Sequence, residues 1–400
     1  MHRLANTVRA YDWGSVTAIP AILGVEPTGE PAAELWMGTH PGAPSRLAGV
    51  DGKPADRTLA DLVADDPEAA LGADVARRTG PRLPFLFKVL AADRALSIQA
   101  HPSPEQAAAG FRRENDQGVP LDAPNRNYKD DQAKPEMVCA LGPFEALCGF
   151  APARQIESRL RALRSAGAEG LEDLLDLVAG GSDTGESQAA AISWILEGQA
   201  ARHAKTVTTA ARSGAGSSDP SLELLGRLNA QYPGDPGVLV SLLMNHVVLA
   251  EGEALYLPAG NLHAYVAGVA MELMNASDNV LRGGLTSKHI DVPELLAVLD
   301  TAPSEVEILR PDGPAGDWQR YPADATFELR RLDGPVGAAV AVPSGPAILF
   351  VAAGSVTLAP AGSRLVRGES VFVGHAEEPA QLVEVAAGTT VFAATTKGND

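Results

Sequence analysis

The stretch GEALYLPAG at 252–260 recurs in outline as GESVFVGHA at 368–376, each copy running Gly-Glu-small-aliphatic-aromatic-aliphatic. A glycine turn that feeds an alternating strand is what a jelly-roll corner requires. Two such corners in one chain indicate an internal repeat of the sandwich unit. His263 follows the first copy by three residues. When the offset is carried forward, it falls opposite Pro379 in the second. The expectation is therefore two jelly rolls, of which only the first carries a histidine where a metal ligand could stand.

Working outward, residues 1 to about 150 read as short apolar segments broken by Gly and Pro, beginning with YDWGS at 11–15 and AELWMGTHPGAPS at 33–45. A helical stretch is expected at TLADLVADDPEAALGADVARR, 58–78. From 151 to 236 the period changes. Ile156, Leu160 and Leu163, then Leu171, Leu174, Leu175 and Val178, recur at helical spacing. Further helices are expected at 186–207 and 221–231, with a loop at RSGAGSSDP, 212–220. Strands are expected to resume at GVLVSLLMNHVVLAEGEALYLPAG, 237–260, with a short helix DVPELLAVLD at 291–300. The fold class is mainly β with a helical insert: two cupin-like jelly-roll sandwiches plus an α-helical domain. The metal-bearing jelly roll takes 1–150 and 237–301, the inserted helical domain 151–236, and a jelly roll without metal 302–400.

At 400 residues the chain exceeds one ordinary core. Hydrophobic content of 45% with 20% charged residues describes a folded globular protein. The 50 acidic residues outnumber the 32 basic ones, for a formal charge of −18, which disfavours nucleic acid or an anionic membrane as partner. An anionic small substrate would then need a locally basic pocket. No apolar leader or 18-residue apolar run is evident. Cys139 and Cys148 are too few for a disulfide framework and fit a reducing cytoplasm as buried small hydrophobes. A cytoplasmic monomer is expected.

Gln99 and His101 stand two apart in LSIQAHP, a spacing that on a strand sends both side chains into one cavity. Glu136 in KPEM and His263 in LPAGNLHAY complete a set of two imidazoles, one carboxylate and one amide oxygen, which suits zinc or another divalent first-row ion. A lone histidine is more often a satisfied core or surface residue than a ligand. His101 and His263 are set apart by the Pro after one and the Gly-rich turn before the other. His2, His203 and His375 lack comparable neighbours.

YDWGS, AELWMGTHP, LPFLFKVLAADRALSIQAHPS, NYKDDQAKPEM, CGF, LYLPAGNLHAYVAG and SDNVLRGGLTSKHID stand here in order. In these motifs the chain resembles the type I phosphomannose isomerases, densely over 1–150 and 240–300 and elsewhere in layout. The resemblance implies one zinc ion per chain and interconversion of mannose 6-phosphate and fructose 6-phosphate. It places the metal ligands on Gln99, His101, Glu136 and His263, and an active-site arginine on Arg282. Ala276 and Ser287 depart from the family pattern without touching a ligand position.

An aldose–ketose isomerase must move a proton between adjacent carbons through an enediolate. Arg282 stays charged at any working pH and could meet the developing oxyanion, with Gly283 and Gly284 letting backbone approach the ligand. The bland alternative for Arg282 is a surface ion pair with Asp278. Glu272 is the leading candidate for the base and Lys134 the second. Glu272 could instead be a buried partner of Arg282. Lys88, Ser97 and Lys288 are expected at the substrate phosphate. No Walker loop or dinucleotide fingerprint is present, so no nucleotide or nicotinamide is expected. Two other readings compete. One is a catalytically silent sugar-phosphate-binding cupin, which would not need both the ligand set and Arg282. The other is a cupin oxygenase, for which a glutamine ligand is unusual.

Overall fold

The computed structural model describes residues 1–49, 52–179, 184–197, 200–377 and 380–397, with backbone alone at 200–203. Its organising element is one long strand, His263–Asn275. From Gly268 to Asn275 this strand pairs antiparallel with Phe85–Ala92, and from Ala270 to Met274 it pairs on its other side with Glu136–Ala140. Its first half pairs instead with Phe144–Phe150, and His263 also pairs with Gln99. A register shift between Tyr265 and Ala267 marks the change of partners. Gly268 follows at φ +119°, where an added Cβ would meet the Pro143 carbonyl oxygen at 2.6 Å. Only glycine lets the strand turn there. One strand therefore delivers His263 from one half and Glu272 from the other.

Alternation along these strands builds two faces. Phe85, Phe87, Val89, Met137, Cys139, Met271 and Leu273 join one buried cluster, while Leu90, Val138, Ala140, Ala270 and Leu255 join another inside the sandwich. The first cluster also holds Phe327, Phe350, Phe372 and Phe392 of the C-terminal region. Each fully buried Phe contributes on the order of 1.5–3 kcal/mol relative to exposure, so the seam between the two sandwiches is a shared core. On the C-terminal side the alternation repeats: Leu349, Val351, Val371, Val373, Val391 and Ala393 face a four-stranded sheet across a separate cluster.

The repeat seen in the sequence is a repeat of conformation. Gly252 and Gly368 adopt φ of 82° and 86°, and strands Ala254–Leu257 and Ser370–Val373 begin two residues after each. Pro379, the position opposite His263, lies outside the described residues.

Backbone pairing runs across the division expected at residue 302. His2–Ala5 pairs with Ser370–Val373 on one side and with Arg46–Ala48 on the other, and Arg46–Ala48 pairs with Pro54–Thr58. The N-terminal strands thus complete the C-terminal eight-stranded sheet.

The inserted block is helical, and every residue of its Ile156 to Val178 pattern is buried. Three expectations change. The stretch expected as one helix at 186–207 holds two, Glu186–Glu197 and Ala200–Gly214, and the second runs into the loop expected at 212–220. The apolar run Val238 to Leu243 forms helix Gly237–Val240 and 3-10 turn Ser241–Leu243, with the strand starting only at Met244. A short run buried all round carries no period that separates helix from strand. Helix Pro104–Asp116, for which no expectation was stated, is opened by a capping box between Ser103 and Gln106. The expected stretch at 58–78 is three short helices, Leu59–Asp65, Pro67–Leu71 and Ala73–Thr79, interrupted at Asp66 and Gly72.

Candidate metal centre and active site

Three ligand candidates meet in one buried cluster. His101 lies one residue past the short strand Ile98–Ala100, Glu136 opens its strand, and His263 opens the long one. One ligand atom from each lies within 4.8 Å of the others, and all three residues are about 1% exposed. His101 Nε2 is 3.3 Å from Glu136 Oε1 and His263 Nε2 is 3.3 Å from Glu136 Oε2.

The ring orientations explain what this cluster is for. His101 Nδ1 is 2.7 Å from the Asn279 carbonyl oxygen, and His263 Nδ1 is 3.1 Å from that of Asn261. A carbonyl accepts only, so each Nδ1 carries a hydrogen, and in the neutral ring it is Nε2 that carries the lone pair. Both Nε2 atoms are buried without a hydrogen-bond partner. Burial first, then the neighbouring Lys134 charge, pushes His101 down to about 4, so its imidazole is neutral near pH 7. Two lone pairs therefore face two carboxylate oxygens with no proton between them. That repulsive set is resolved by a cation, and backbone oxygens holding Nδ1 are the usual outer support of metal-bound imidazoles.

Gln99 enters by register. It stands opposite His263 on one side and opposite Arg282 on the other, so the three share one face of the sheet. The donor set of two imidazole nitrogens, a carboxylate and a neighbouring amide fits a divalent first-row ion.

Glu136 has further company. Lys134 Nζ is 2.9 Å from its Oε1, and Tyr265 donates its hydroxyl to Oε2 at 3.2 Å. Burial alone would raise the Glu136 carboxyl, but the Lys134 charge opposes it, and the group stays well below the usual carboxylate range. Lys134 precedes the strand, yet its amino group reaches the carboxylate that opens it.

Glu272 is buried and its partner is Lys88 at 2.8 Å, in register across the two strands. Lys88 also lies 3.5 Å from Glu34, whose carboxylate accepts from the Trp36 indole at 2.6 Å. Burial raises the Glu272 carboxyl, Lys88 opposes this, and the charges of Glu136 and Glu34 reinforce it. The bland pairings considered for Arg282 do not occur: Glu272 is with Lys88, and Asp278 is 3.4 Å from His40.

Arg282 is half-buried, and burial lowers its affinity for a proton with no carboxylate among the described residues to offset it. Burial lowers both Lys288 and Lys129, and the Arg282 charge adds to this, next after burial for Lys288 and behind Arg126 for Lys129. Three cations thus cluster in a chain of net charge −18. Lys288 therefore stands with Arg282, whereas the Lys88 amino group is committed to two carboxylates. Ser97 is half-buried two residues before Gln99. The glycines after Arg282 serve packing: a Cβ on Gly284 would lie 2.3 Å from Gly237 Cα, so the close approach is to the Gly237–Val240 helix.

Sequence reasoning passed over Tyr265, Lys129 and Asn279. Tyr265 could have been found from its spacing of two from His263 along one strand. Lys129 and the Asn279 carbonyl reach the site through loops, where no period exists to read.

A family model described as the phosphomannose isomerase type I catalytic domain matches residues 1–153. The mannose-6-phosphate isomerase of Salmonella typhimurium is 38% identical over 389 residues, covering 95% of this chain and 96% of its own. That of Escherichia coli is 37% identical over 397 residues, with the same coverages. Among solved structures, a point variant of the Salmonella typhimurium phosphomannose isomerase superposes with a TM-score of 0.90 at 34% identity over 100% of both chains. A mannose 6-phosphate isomerase in its zinc-bound form gives 0.88 at 34% over 99% of both.

Proposed function

The chain belongs to the type I phosphomannose isomerases and is a mannose-6-phosphate isomerase, and on that premise we propose that it works as a zinc enzyme through an enediolate. The observation that carries the metal is the pair of orphaned Nε2 atoms of His101 and His263 aimed at the two oxygens of Glu136. We assign zinc, one per chain, to Gln99, His101, Glu136 and His263. The ion supplies a Lewis acid able to polarise a sugar carbonyl.

The chain's own residues do the rest. The sugar opens to its aldehyde, the C2 proton leaves, and the electrons move to make a C1–C2 double bond bearing an oxyanion. Returning a proton to C1 while the O2 proton shifts to O1 gives the ketose. Arg282 meets the oxyanion, which is charge that exists only between the two sugars. Glu272 takes the proton from one carbon and returns it to the other. Its burial supports this, since a carboxyl raised toward neutrality can both accept and release a proton. Lys88 keeps it from becoming a permanent acid. Lys134 is the second reading for the base, supported by its contact with Glu136. Lys288 and Ser97 receive the substrate phosphate with Lys129 beside them, while Lys88, first expected there, serves Glu272 instead.

We divide the chain into a catalytic sandwich of 1–150 and 237–301, a helical insert of 151–236 and a C-terminal sandwich of 302–400 to which the first strands are lent. No described helix is long and apolar enough to cross a membrane. Cys139 and Cys148 are free and buried, which supports a cytoplasmic enzyme, and we take it to be a monomer.

A coupled assay for fructose 6-phosphate formation, before and after chelation and again after zinc is restored, tests this reading. Activity untouched by complete metal removal would overturn the zinc assignment. Sugar phosphate binding without turnover would favour a silent binding cupin.

A further inference from the structure

Two cavities, of about 220 and 650 Å³, open side by side on the seam between the sandwiches and share Arg78, Asn275 and Thr326 as walls. The larger falls within the roughly 300–1,000 Å³ usual for small-molecule sites. None of Gln99, His101, Glu136, His263, Arg282 or Lys288 lines either one, so the groove is separate from the metal cavity.

Its chemistry is cationic in an acidic chain. Arg78 is exposed at the end of helix Ala73–Thr79, and the acid within reach of that turn, Asp74, is taken by Arg77. Arg82 uses Nε to donate to the Thr79 carbonyl oxygen at 3.1 Å, which fixes the guanidinium and leaves its terminal nitrogens to the groove. Lys397 lies along the same groove, 3.7 Å from the exposed Asp324, its sole lining carboxylate among the described residues. Two guanidinium forks facing one cavity match the oxygens of a phosphate monoester, which accept in paired fashion. Polar groups that line the same cavity suit hydroxyls. Thr326 donates to the Asn275 side-chain oxygen at 2.9 Å, which orders both, and Gln132 is exposed beside them.

We propose that this groove is a second binding site for a phosphorylated polyol or sugar, with the phosphate on Arg78 and Arg82 and the hydroxyls on Gln132, Asn275 and Thr326. The site shares backbone with the active centre. Ala133 and Pro135, on either side of Lys134, form part of its wall. Asn275 donates from its backbone to the Pro135 carbonyl oxygen at 3.2 Å, and the Gln132 carbonyl accepts from Asn279, the residue whose own carbonyl holds His101.

The test is a binding titration of the full-length, zinc-loaded enzyme with sorbitol 6-phosphate, which has no carbonyl to isomerise, and in parallel with inorganic phosphate. Two sites per chain are expected for sorbitol 6-phosphate. Arg78→Gln combined with Arg82→Gln should weaken one of them at least roughly tenfold, the scale of losing charge-assisted hydrogen bonds, and leave turnover of mannose 6-phosphate unchanged. Lys288→Ala should weaken the other. Both arginines are exposed, and circular dichroism with Tm checks that the double variant folds. A single site per chain, or a second site indifferent to the double substitution, overturns the proposal. Sorbitol 6-phosphate bound at the second site no better than inorganic phosphate overturns the part played by the hydroxyl partners.

Discussion

His101 and His263 face each other with ring centroids 5.1 Å apart, and each turns a lone pair toward a different oxygen of the same Glu136 carboxylate. Neither ring can swing away cheaply, because each Nδ1 is held by a backbone carbonyl. The two backbone carbonyls thereby hold both rings with Nε2 turned toward Glu136, the orientation a ligating imidazole needs.

Removing one ligand should be costly for that reason. His101→Ala and His263→Ala are each expected to lower zinc affinity by more than the roughly 10–100-fold typical of losing an outer partner. Elemental analysis after dialysis measures this. One ion per chain is expected for the parent, and two would contradict the single cluster. Chelation should also lower Tm, since an ion present at a thousand times its Kd stabilises the fold by about 4 kcal/mol.

Arg282 and Lys288 should separate in kinetics although they sit in one cationic cluster. An interaction made only in the transition state affects kcat when removed, whereas one made throughout mainly affects KM. Arg282→Ala should cut kcat roughly a hundredfold or more, as for a lost oxyanion donor. Lys288→Ala should chiefly raise KM for mannose 6-phosphate. The reverse pattern would exchange their roles.

The base is distinguished by hydrogen exchange. Glu272→Gln removes the proton acceptor while keeping an oxygen for Lys88, and it should abolish exchange of solvent hydrogen into the sugar at C1 and C2. Lys134→Met should slow turnover through Glu136 but leave the ratio of exchange to turnover intact. If the lysine variant loses exchange and the glutamine variant keeps it, Lys134 is the base.

Periodicity reads faces well and partners poorly. The i, i+2 spacing of Gln99 and His101 pointed to one cavity, although the strand ends at Ala100 and His101 is set by its contact with the Asn279 carbonyl. The pattern from Ile156 to Val178 located a helical core whose members are all buried. What stayed hidden was pairing across the chain. Nothing local in His2–Ala5 says that it lies against Ser370–Val373, and nothing in FLFKVLAA says that Lys88 will find Glu272. Burial on all sides erased the period at Val238 to Leu243. Lys129 was overlooked because a loop residue is placed by its anchors, here the backbone bond from Lys129 to the Asn279 side chain.

The helical insert is tied to the catalytic sandwich by a charge contact with a defined pH signature. Glu145, on strand Phe144–Phe150, receives Arg227 of helix Pro220–Gln231 and His246 at 2.6 Å. Burial would raise its carboxyl, but the bonds from His246 and Arg227 prevail and bring it down to about 2. A carboxyl whose value is lower folded than unfolded stabilises the fold above its unfolded value, near 4.5. That contribution is lost as pH falls from there through about 2. Arg227 is half exposed, so solvent screens part of the interaction. Glu145→Gln should therefore cost about 1.5 kcal/mol at neutral pH, the lower end for a hydrogen bond to a charged group. The difference between parent and variant should shrink below pH 4.5. Urea unfolding of both proteins across that range measures it, and a gap that stays constant down to pH 2 would show that the charge on Glu145 contributes nothing to holding the insert in place.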